Sequence, residues 1–418
     1  MKRRGTANWQ VWHNSGLIAL GVALQNDSII NVAINDPECG YHAQMERYVM
    51  NDGWWGEGSP TYHYYPLRAM LLSADAVRCR NINLYDRKLY KMLVAPASGV
   101  YADLYFPAHN DGWYGESLIA QVSLYEIACQ RYNNDPFFLS VLQQCYRYTD
   151  RNFGEALQNN IEIPQVTSME TWPSVHFKET GYAVLRSGTK TVVMKYGPHG
   201  GGHGHPDKLS ISIHDGEKEI VSDMGTCAYG VPAFTKWYRK TLSHSTLTVD
   251  AKDQKESTGK LLAFKAYKDG GEVSAEAPDA YSGVTMERKL ILKKNKLTDI
   301  LTARSDEQHL YDYVLMLTEK PVFSQTGEVI ILNDSPSYNY IKNAIVRKQS
   351  SPLNCKIGKA YMKIEVSEGQ EFEVITGEAP GIPPGNGSVL SKYDSPFCYP
   401  LIVRVKDKKL RIKTEWKF

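Results

Sequence analysis

The sharpest constraint in this sequence is a change of texture near residue 175. Beyond it, stretches such as YAVLRSG, TKTVVMKYG, LSISIHDGEKEIV, VTMERKLILKKNKLTDILTA and QEFEVITG alternate apolar and polar residues with period two. DG and KDGG turn signals punctuate these runs. Residues 175–418 are therefore expected to form a large antiparallel β-sandwich. Residues 1–152 read as helical instead. A nearly all-round apolar helix is expected from about Trp9 to Gln25, and such a helix should be deeply buried. Further helical runs cover 61–80 and 116–132, each preceded by almost the same phrase, NDGWWGEG at 51–58 and NDGWYGES at 110–117. This echo fits repeated helical hairpins: a bundle, a solenoid or an (α/α) toroid. The polar, aperiodic stretch 153–174 reads as the linker.

Composition narrows the function classes. A formal charge of +2 with no dense Lys/Arg block offers no nucleic-acid arm. No apolar run is long enough to span a bilayer. The basic start and the apolar residues 17–24 imitate a signal peptide, but polar NWQVWHN intervenes and no small-residue cleavage site follows, so a helix start is expected. Seven scattered cysteines without a CxxC pair read as reduced, buried thiols. Tyrosine is abundant, with 27 copies, which suits stacking on sugar rings as well as core filling.

The phrase HGGGHGHPDKLS at 199–210 concentrates the chemistry. A phosphate loop would need a lysine and hydroxyl after its glycines and then a helix; here a strand pattern follows. Metal chemistry fits better. In an extended chain His203 and His205 project on one face, where they can share a zinc ion or divide a ligand role from a chemical one. A hairpin at Asp215-Gly216 returns Asp223 toward them. A strict two-residue turn would pair Asp223 with Lys208, on the wrong face, so a three-ligand site predicts a longer loop or a bulge. His244, expected in a strand, would complete the set. Alternatively, these side chains serve only buried backbone groups.

The run YGPHGGGHGHPDKLSISI, with VSDMGTCAYG and WYRKTLSHSTLTVD after it, resembles the signature of the heparinase II/III-like polysaccharide lyases, a group that includes oligoalginate lyases. ANWQVWH and NDGWWGEGSPTYHYY resemble that family's catalytic helix and tyrosine segment. The likeness covers about 5–75 and 180–255. It implies an (α/α) toroid followed by an antiparallel β-sandwich, a structural zinc, and β-elimination at a uronic acid of a glycosaminoglycan or alginate type. That reaction must neutralise the substrate carboxylate, remove the C5 proton and protonate the leaving oxygen.

By this resemblance Asn8 would hold the substrate carboxylate, Tyr62 would act as base, acid or both, and His203 would assist. His205, Asp223 and His244 match the zinc ligands. Glu57, Tyr229 and Arg239 are substrate-pocket candidates, while His13 and His63 are expected to be packed core histidines. The partner implied is an acidic polysaccharide or oligosaccharide, with no nucleic acid and no membrane. The family is often periplasmic or secreted, whereas the unclear signal here favours the cytoplasm.

Three departures stand out. The chain begins almost on the Asn8 segment, so an incomplete toroid is expected; HST stands where HNT is commoner; and Trp9 follows Asn8 where some relatives carry a second polar residue. A non-catalytic carbohydrate-binding protein or truncated, inactive remnant is the alternative, and a zinc hydrolase built on HxH is a third reading.

Overall fold

The structure, a computed structural model, describes residues 7–149, 172–198, 201–382 and 396–418. His199 and Gly200, and the expected linker as far as 171, lie outside the described residues. The chain forms two compact units: Met1–Val100 with Ser117–Glu170, and Tyr101–Glu116 with Thr171–Phe418. The second NDG phrase therefore crosses from one unit into the other, carried by the segment 101–116.

The first unit is helical: α1 Asn8–Ala23, α2 Asp27–Asn35, α3 Tyr41–Tyr48, α4 Pro60–Ala76, α5 Arg87–Ala97, α6 Val122–Arg131 and α7 Pro136–Cys145. Their starts follow capping chemistry. The side chains of Asn26, Ser59, Asp86 and Asp135 accept from first-turn N–H groups, and Pro60 and Pro136 stand where a missing N–H costs nothing. α1 packs on α2 closely at Gly21, where a Cβ would meet Ile30 at 2.7 Å. Its apolar composition predicts burial all round, but one side is open: Trp9 and Leu20 are 56% and 47% exposed. A hydroxyl pair, Tyr64 with Tyr125 at 2.8 Å, ties α4 to α6, and Tyr125 donates on to the Leu93 carbonyl in α5. The third helical run is shorter than 116–132. Ser117 Oγ caps Ala120, a 3-10 turn covers Ile119–Gln121, and the Glu116 carbonyl accepts instead from Phe106 N.

The second unit is antiparallel β throughout its described strands. β1 Val175–Phe177, β2 Tyr182–Ser187, β3 Lys190–Lys195, β4 Ser210–His214 and β5 Glu219–Val221 form a meander. β6 Leu247–Val249 is followed by the stack β7 Lys260–Tyr267, β8 Gly270–Tyr281 and β9 Val284–Lys293. The long β10, Lys296–Leu317, joins the two: its first half pairs with β9, its second half with β6, and Leu317 with Val221 of β5. β11 Val322–Phe323, β12 Glu328–Ile330, β13 Lys342–Gln349, β14 Leu353–Ile357, β15 Ala360–Val366 and β16 Phe372–Pro380 lead to β17 Phe397–Lys417, which pairs with β10 along both halves. β2 is buried at every position, whereas β14 and β9 bury alternate residues, as one-sided burial requires.

One buried cation positions the site. Arg288 on β9 is fully buried and forks onto Asp299 at 2.9 and 2.6 Å. Its remaining amine donates to the carbonyls of Leu209 and Ser245, at 2.8 and 2.6 Å. Those two carbonyls flank the histidine phrase and His244, so the core holds both loops from beneath.

Candidate functional site

The histidine phrase does not run as a strand. Gly201–His203 is a 3-10 turn that opens at Gly201 with φ +62, and β4 starts only at Ser210. His203 and His205 therefore do not share a strand face, contrary to the sequence expectation. His244 likewise follows the turn Thr241–Ser243 and precedes β6, outside any strand. The hairpin irregularity is present. Four residues, 215–218, separate His214 from its partner Glu219; one step back along β4, Ile213 opposes Val221, two residues beyond Glu219, so Ile220 is the extra residue. That bulge changes the parity of the returning chain, setting Asp223 on the face of the odd-numbered residues rather than that of Lys208.

The two histidines are joined by a carboxylate. Asp111, 1% exposed, has Oδ2 2.9 Å from His203 Nδ1 and Oδ1 3.0 Å from His205 Nε2. Asp111 N donates to the His203 carbonyl at 3.1 Å, and Thr226 Oγ1 and Tyr229 OH donate to its oxygens at 3.3 and 3.4 Å. Tyr229 OH also lies 3.4 Å from His203 Nδ1, and Arg239 donates to the Gly204 carbonyl at 2.8 Å. Asn110 beside it accepts from Lys195 Nζ and from His205 N. The segment 101–116 that brings Asn110 and Asp111 is secured by Tyr101 and Tyr114, whose hydroxyls both donate to the buried Glu219 carboxyl.

Behind His205 lies a buried group of potential ligands. Ligand atoms of Asp207, Asp223 and His244 all fall within 4.8 Å of one another. The His205 ring is 5.2 Å from that of His244, centroid to centroid. Asp223 Oδ2 is 3.4 Å from His244 Nδ1 and 3.5 Å from His109 Nδ1. His205 Nδ1 and His244 Nε2 are buried without a hydrogen-bond partner, and His244 Nδ1 faces only the Asp223 oxygen. Such orphaned nitrogens are costly in a dry interior and fit a bound cation. Asp207 is engaged already, 2.5 Å from Lys195 Nζ and 3.4 Å from Lys208 Nζ.

Burial pushes the Asp111 carboxyl up, but the hydrogen bonds from His203 and His205 outweigh it and hold it well below the usual range. Burial lowers His205 to about 4, so its ring is neutral at neutral pH, the form a metal ligand needs. Asp223 is buried too, yet His244 and His109 keep it ionised, and Asp223 in turn raises His244 against its own burial.

In the helical unit, Asn8 opens α1 and its Nδ2 donates to Glu57 Oε2 at 2.9 Å; Trp55 Nε1 donates to the same oxygen at 3.0 Å. Tyr62 sits in the first turn of α4, its N–H on Ser59 Oγ at 3.2 Å. Pro66 cannot supply the helical hydrogen bond to the Tyr62 carbonyl, which loosens the backbone there. His63 is a core histidine: Nδ1 accepts from Trp55 N at 3.0 Å, Nε2 donates to the Met92 carbonyl at 2.8 Å, and burial lowers it to about 4. Asp111, Asn110, His109 and Asp207 escaped the sequence argument. The NDG echo marks Asp111, but the helical run that follows it points to a lead-in rather than to a site residue.

Residues 169–318 match the family described as heparinase II/III-like, C-terminal. That stretch, which runs from the end of the linker through β10, is what the chain shares with this family. It is similar to an alginate lyase of Stenotrophomonas maltophilia, 25% identical over 74% of this chain and 47% of that protein. It is also similar to a heparin-sulfate lyase of Pedobacter heparinus, 23% identical over 54% of this chain and 34% of the relative. The chain thus spans about half or less of the curated relatives it matches. Among solved structures, the heparan sulfate lyase HepC of Pedobacter heparinus superposes with a TM-score of 0.72 at 16% identity, covering 97% of this chain and 59% of that one. A heparinase III matches with a TM-score of 0.70 at 15% identity, over 98% and 61%. These likenesses support the fold, a helical part followed by a large antiparallel β region.

Proposed function

We propose that the protein is a polysaccharide lyase that cleaves a uronic-acid-containing chain, of alginate or glycosaminoglycan type, by β-elimination. The observation that carries this reading is the single Asp111 carboxylate bonded to both histidines of HGH, which leaves His203 partly exposed and His205 wholly buried. The two rings can then hold different roles, one toward a sugar and one toward a metal. The relatives named alginate lyase and heparin-sulfate lyase act on acidic polysaccharides of this class. In the reaction a base takes the C5 proton, its electron pair forms the C4=C5 double bond, and the C4–O bond breaks as an acid protonates the leaving oxygen. No water is consumed. Asn8, oriented by Glu57, would hold the substrate carboxylate; Tyr62 would move the proton, and His203 would assist. The helical unit would be part of an (α/α) toroid and the β unit a sandwich.

His205, Asp223 and His244 would hold the zinc ion, with Asp207 beside them: the ligand atoms of Asp207, Asp223 and His244 lie within 4.8 Å of one another, and the buried Nδ1 of His205 has no hydrogen-bond partner. Bound zinc would supply positive charge that ties the Asp223, His205 and His244 segments together. Incubation with alginate, heparan sulfate, hyaluronan, chondroitin sulfate and their oligosaccharides, followed by ultraviolet absorbance of the C4=C5 bond, tests the reaction. Absence of that signal on every polymer and oligosaccharide rejects the lyase in favour of a binding protein or inactive remnant. Metal analysis of His205→Ala tests the zinc separately: the wild type should hold one equivalent and the variant should lose it and melt lower.

A further inference from the structure

The outer face of the sheet that runs through β9, β10, β17, β15 and β14 carries a second chemical feature. Cross-strand register sets Lys293, Lys296, Lys417, Tyr361 and Lys356 in one continuous row, one residue per strand. Adjacent residues on those strands, such as Leu297, Trp416 and Met362, point the other way into the core. The four lysines are exposed, and none has an ion-pair partner among the described residues. The neighbouring row on the same face behaves differently: Lys363 is paired with Glu365, and Glu415 with Lys413 at 2.7 Å. Like charges directly opposite on adjacent strands destabilise a sheet. Lys296 faces a lysine on both sides, a cost that an anion lying across the row would remove.

Aromatic rings interrupt and extend this row. Tyr361 is 57% exposed, with Lys356 Nζ 5.8 Å from its ring centre. Beyond Lys293, Tyr267 on β7 has Lys293 and Lys265 over its ring at 5.5 and 5.4 Å. Its cross-strand partner is Gly270, with φ +126, where a Cβ would fall 2.0 Å from the Leu292 carbonyl oxygen. The backbone thus excludes a side chain at the position opposite Tyr267. A groove of about 480 Å³ lies over Lys296, Lys417, Tyr361 and Lys356, and shares no residue with the histidine cluster. From Lys293 to Lys356 the row crosses four strand spacings, roughly 19 Å, long enough for an oligosaccharide rather than one sugar.

We infer that this face is a second, non-catalytic docking site for an acidic polysaccharide, with lysines on its carboxylate or sulfate groups and tyrosine faces under its rings. The choice of a uronate-bearing chain rests on the lyase reading; the cationic row itself does not. The full-length protein is compared with the triple variant Lys296→Glu/Lys417→Glu/Lys356→Glu and with Tyr361→Ala, by affinity electrophoresis in gels of alginate, heparan sulfate or inorganic polyphosphate. The triple variant should weaken alginate or heparan sulfate binding about tenfold. Tyr361→Ala should weaken it about threefold while leaving polyphosphate, which has no rings, untouched. Turnover of short oligosaccharides should stay within about twofold. Unchanged polysaccharide binding in the triple variant overturns the site. Equal polyphosphate binding with no effect of Tyr361→Ala overturns the polysaccharide and leaves a general polyanion surface. Retention is read without turnover, so an inactive protein that still loses binding on charge reversal sinks the lyase reading alone.

Discussion

NDGWWGEG and NDGWYGES differ at two of eight positions, yet the chain uses them in opposite ways. The first is a surface turn of the helical unit: Asn51 is exposed, Lys91 Nζ donates to its carbonyl at 2.7 Å, and Gly53 sits at φ +98 with its α-carbon against the Lys91 carbonyl. The second is buried in the β unit, with Asn110 and Asp111 each 1% exposed and both bonded to the histidine phrase. The tripeptide specifies a tight turn in both places. What each carboxylate does is decided by the elements packed over it, and those are distant in sequence.

The widest separation between the phrases is expected at their aspartates. Asp111→Ala removes one carboxylate from two histidines and leaves a buried polar cavity, so unfolding free energy should fall by about 3 kcal/mol or more. Turnover in the proposed lyase reaction should fall about 10- to 100-fold, as for other residues that orient a functional ring. Asp52→Ala, at the half-exposed counterpart, should stay within about 0.5 kcal/mol and leave turnover unchanged. Urea unfolding and the ultraviolet assay on both variants check this; equal effects would show that the resemblance between the phrases is functional after all.

Much of the architecture was legible because it depends on local patterns. The period-two texture from 175 onward gave its strands away, and the KDGG signal marks the tight β7–β8 hairpin, where Tyr267 opposes Gly270. The irregularity at Ile220 is the one that a three-ligand site requires, since a strict two-residue turn would set Asp223 on the face of Lys208. The exposed side of α1 was less accessible, because an all-round apolar helix carries no directional mark. The Asp111 bridge was not legible at all. It joins residues 92 and 94 positions apart through a phrase that the sequence shows only as the forerunner of a helical run. The row of lysines on the outer sheet was hidden for the same reason, because it exists only in register between strands far apart in sequence.

The second difference lies at the aromatic position, Trp55 in one phrase and Tyr114 in the other. Trp55 donates to Glu57 within its own phrase, whereas Tyr114 and Tyr101 donate to Glu219 on β5. Burial raises the Glu219 carboxyl from its ordinary 4.5 to about 7, against the pull of those hydroxyls and of Ser222. Because the folded value exceeds the unfolded one, the stabilisation is complete below pH 4.5 and disappears as pH rises through 7. The shift corresponds to about 3 kcal/mol at most. The stability gap between wild type and Glu219→Gln should therefore shift in favour of the variant between pH 5 and pH 8.5, in paired denaturation series. A gap that does not move with pH would mean that Glu219 is ionised in the folded protein.

The smallest separation is expected at the glutamates that close each phrase, Glu57 and Glu116. Glu57 Oε2 accepts from both Asn8 and Trp55, so it fixes the amide proposed to meet the substrate carboxylate. Glu116 is bonded to Phe106 through its backbone carbonyl, which a side-chain change leaves in place. Glu57→Gln exchanges two charge-assisted hydrogen bonds for neutral ones and should cost about 1 kcal/mol in stability. If Asn8 is positioned by Glu57, kcat/KM should fall about fivefold, with Asn8→Ala adding little to that loss in the double variant. Glu116→Gln should leave kcat/KM unchanged. Additive losses from Glu57→Gln and Asn8→Ala would instead place the two residues in separate roles, with the carboxylate of Glu57 acting on the substrate independently of the amide it now holds.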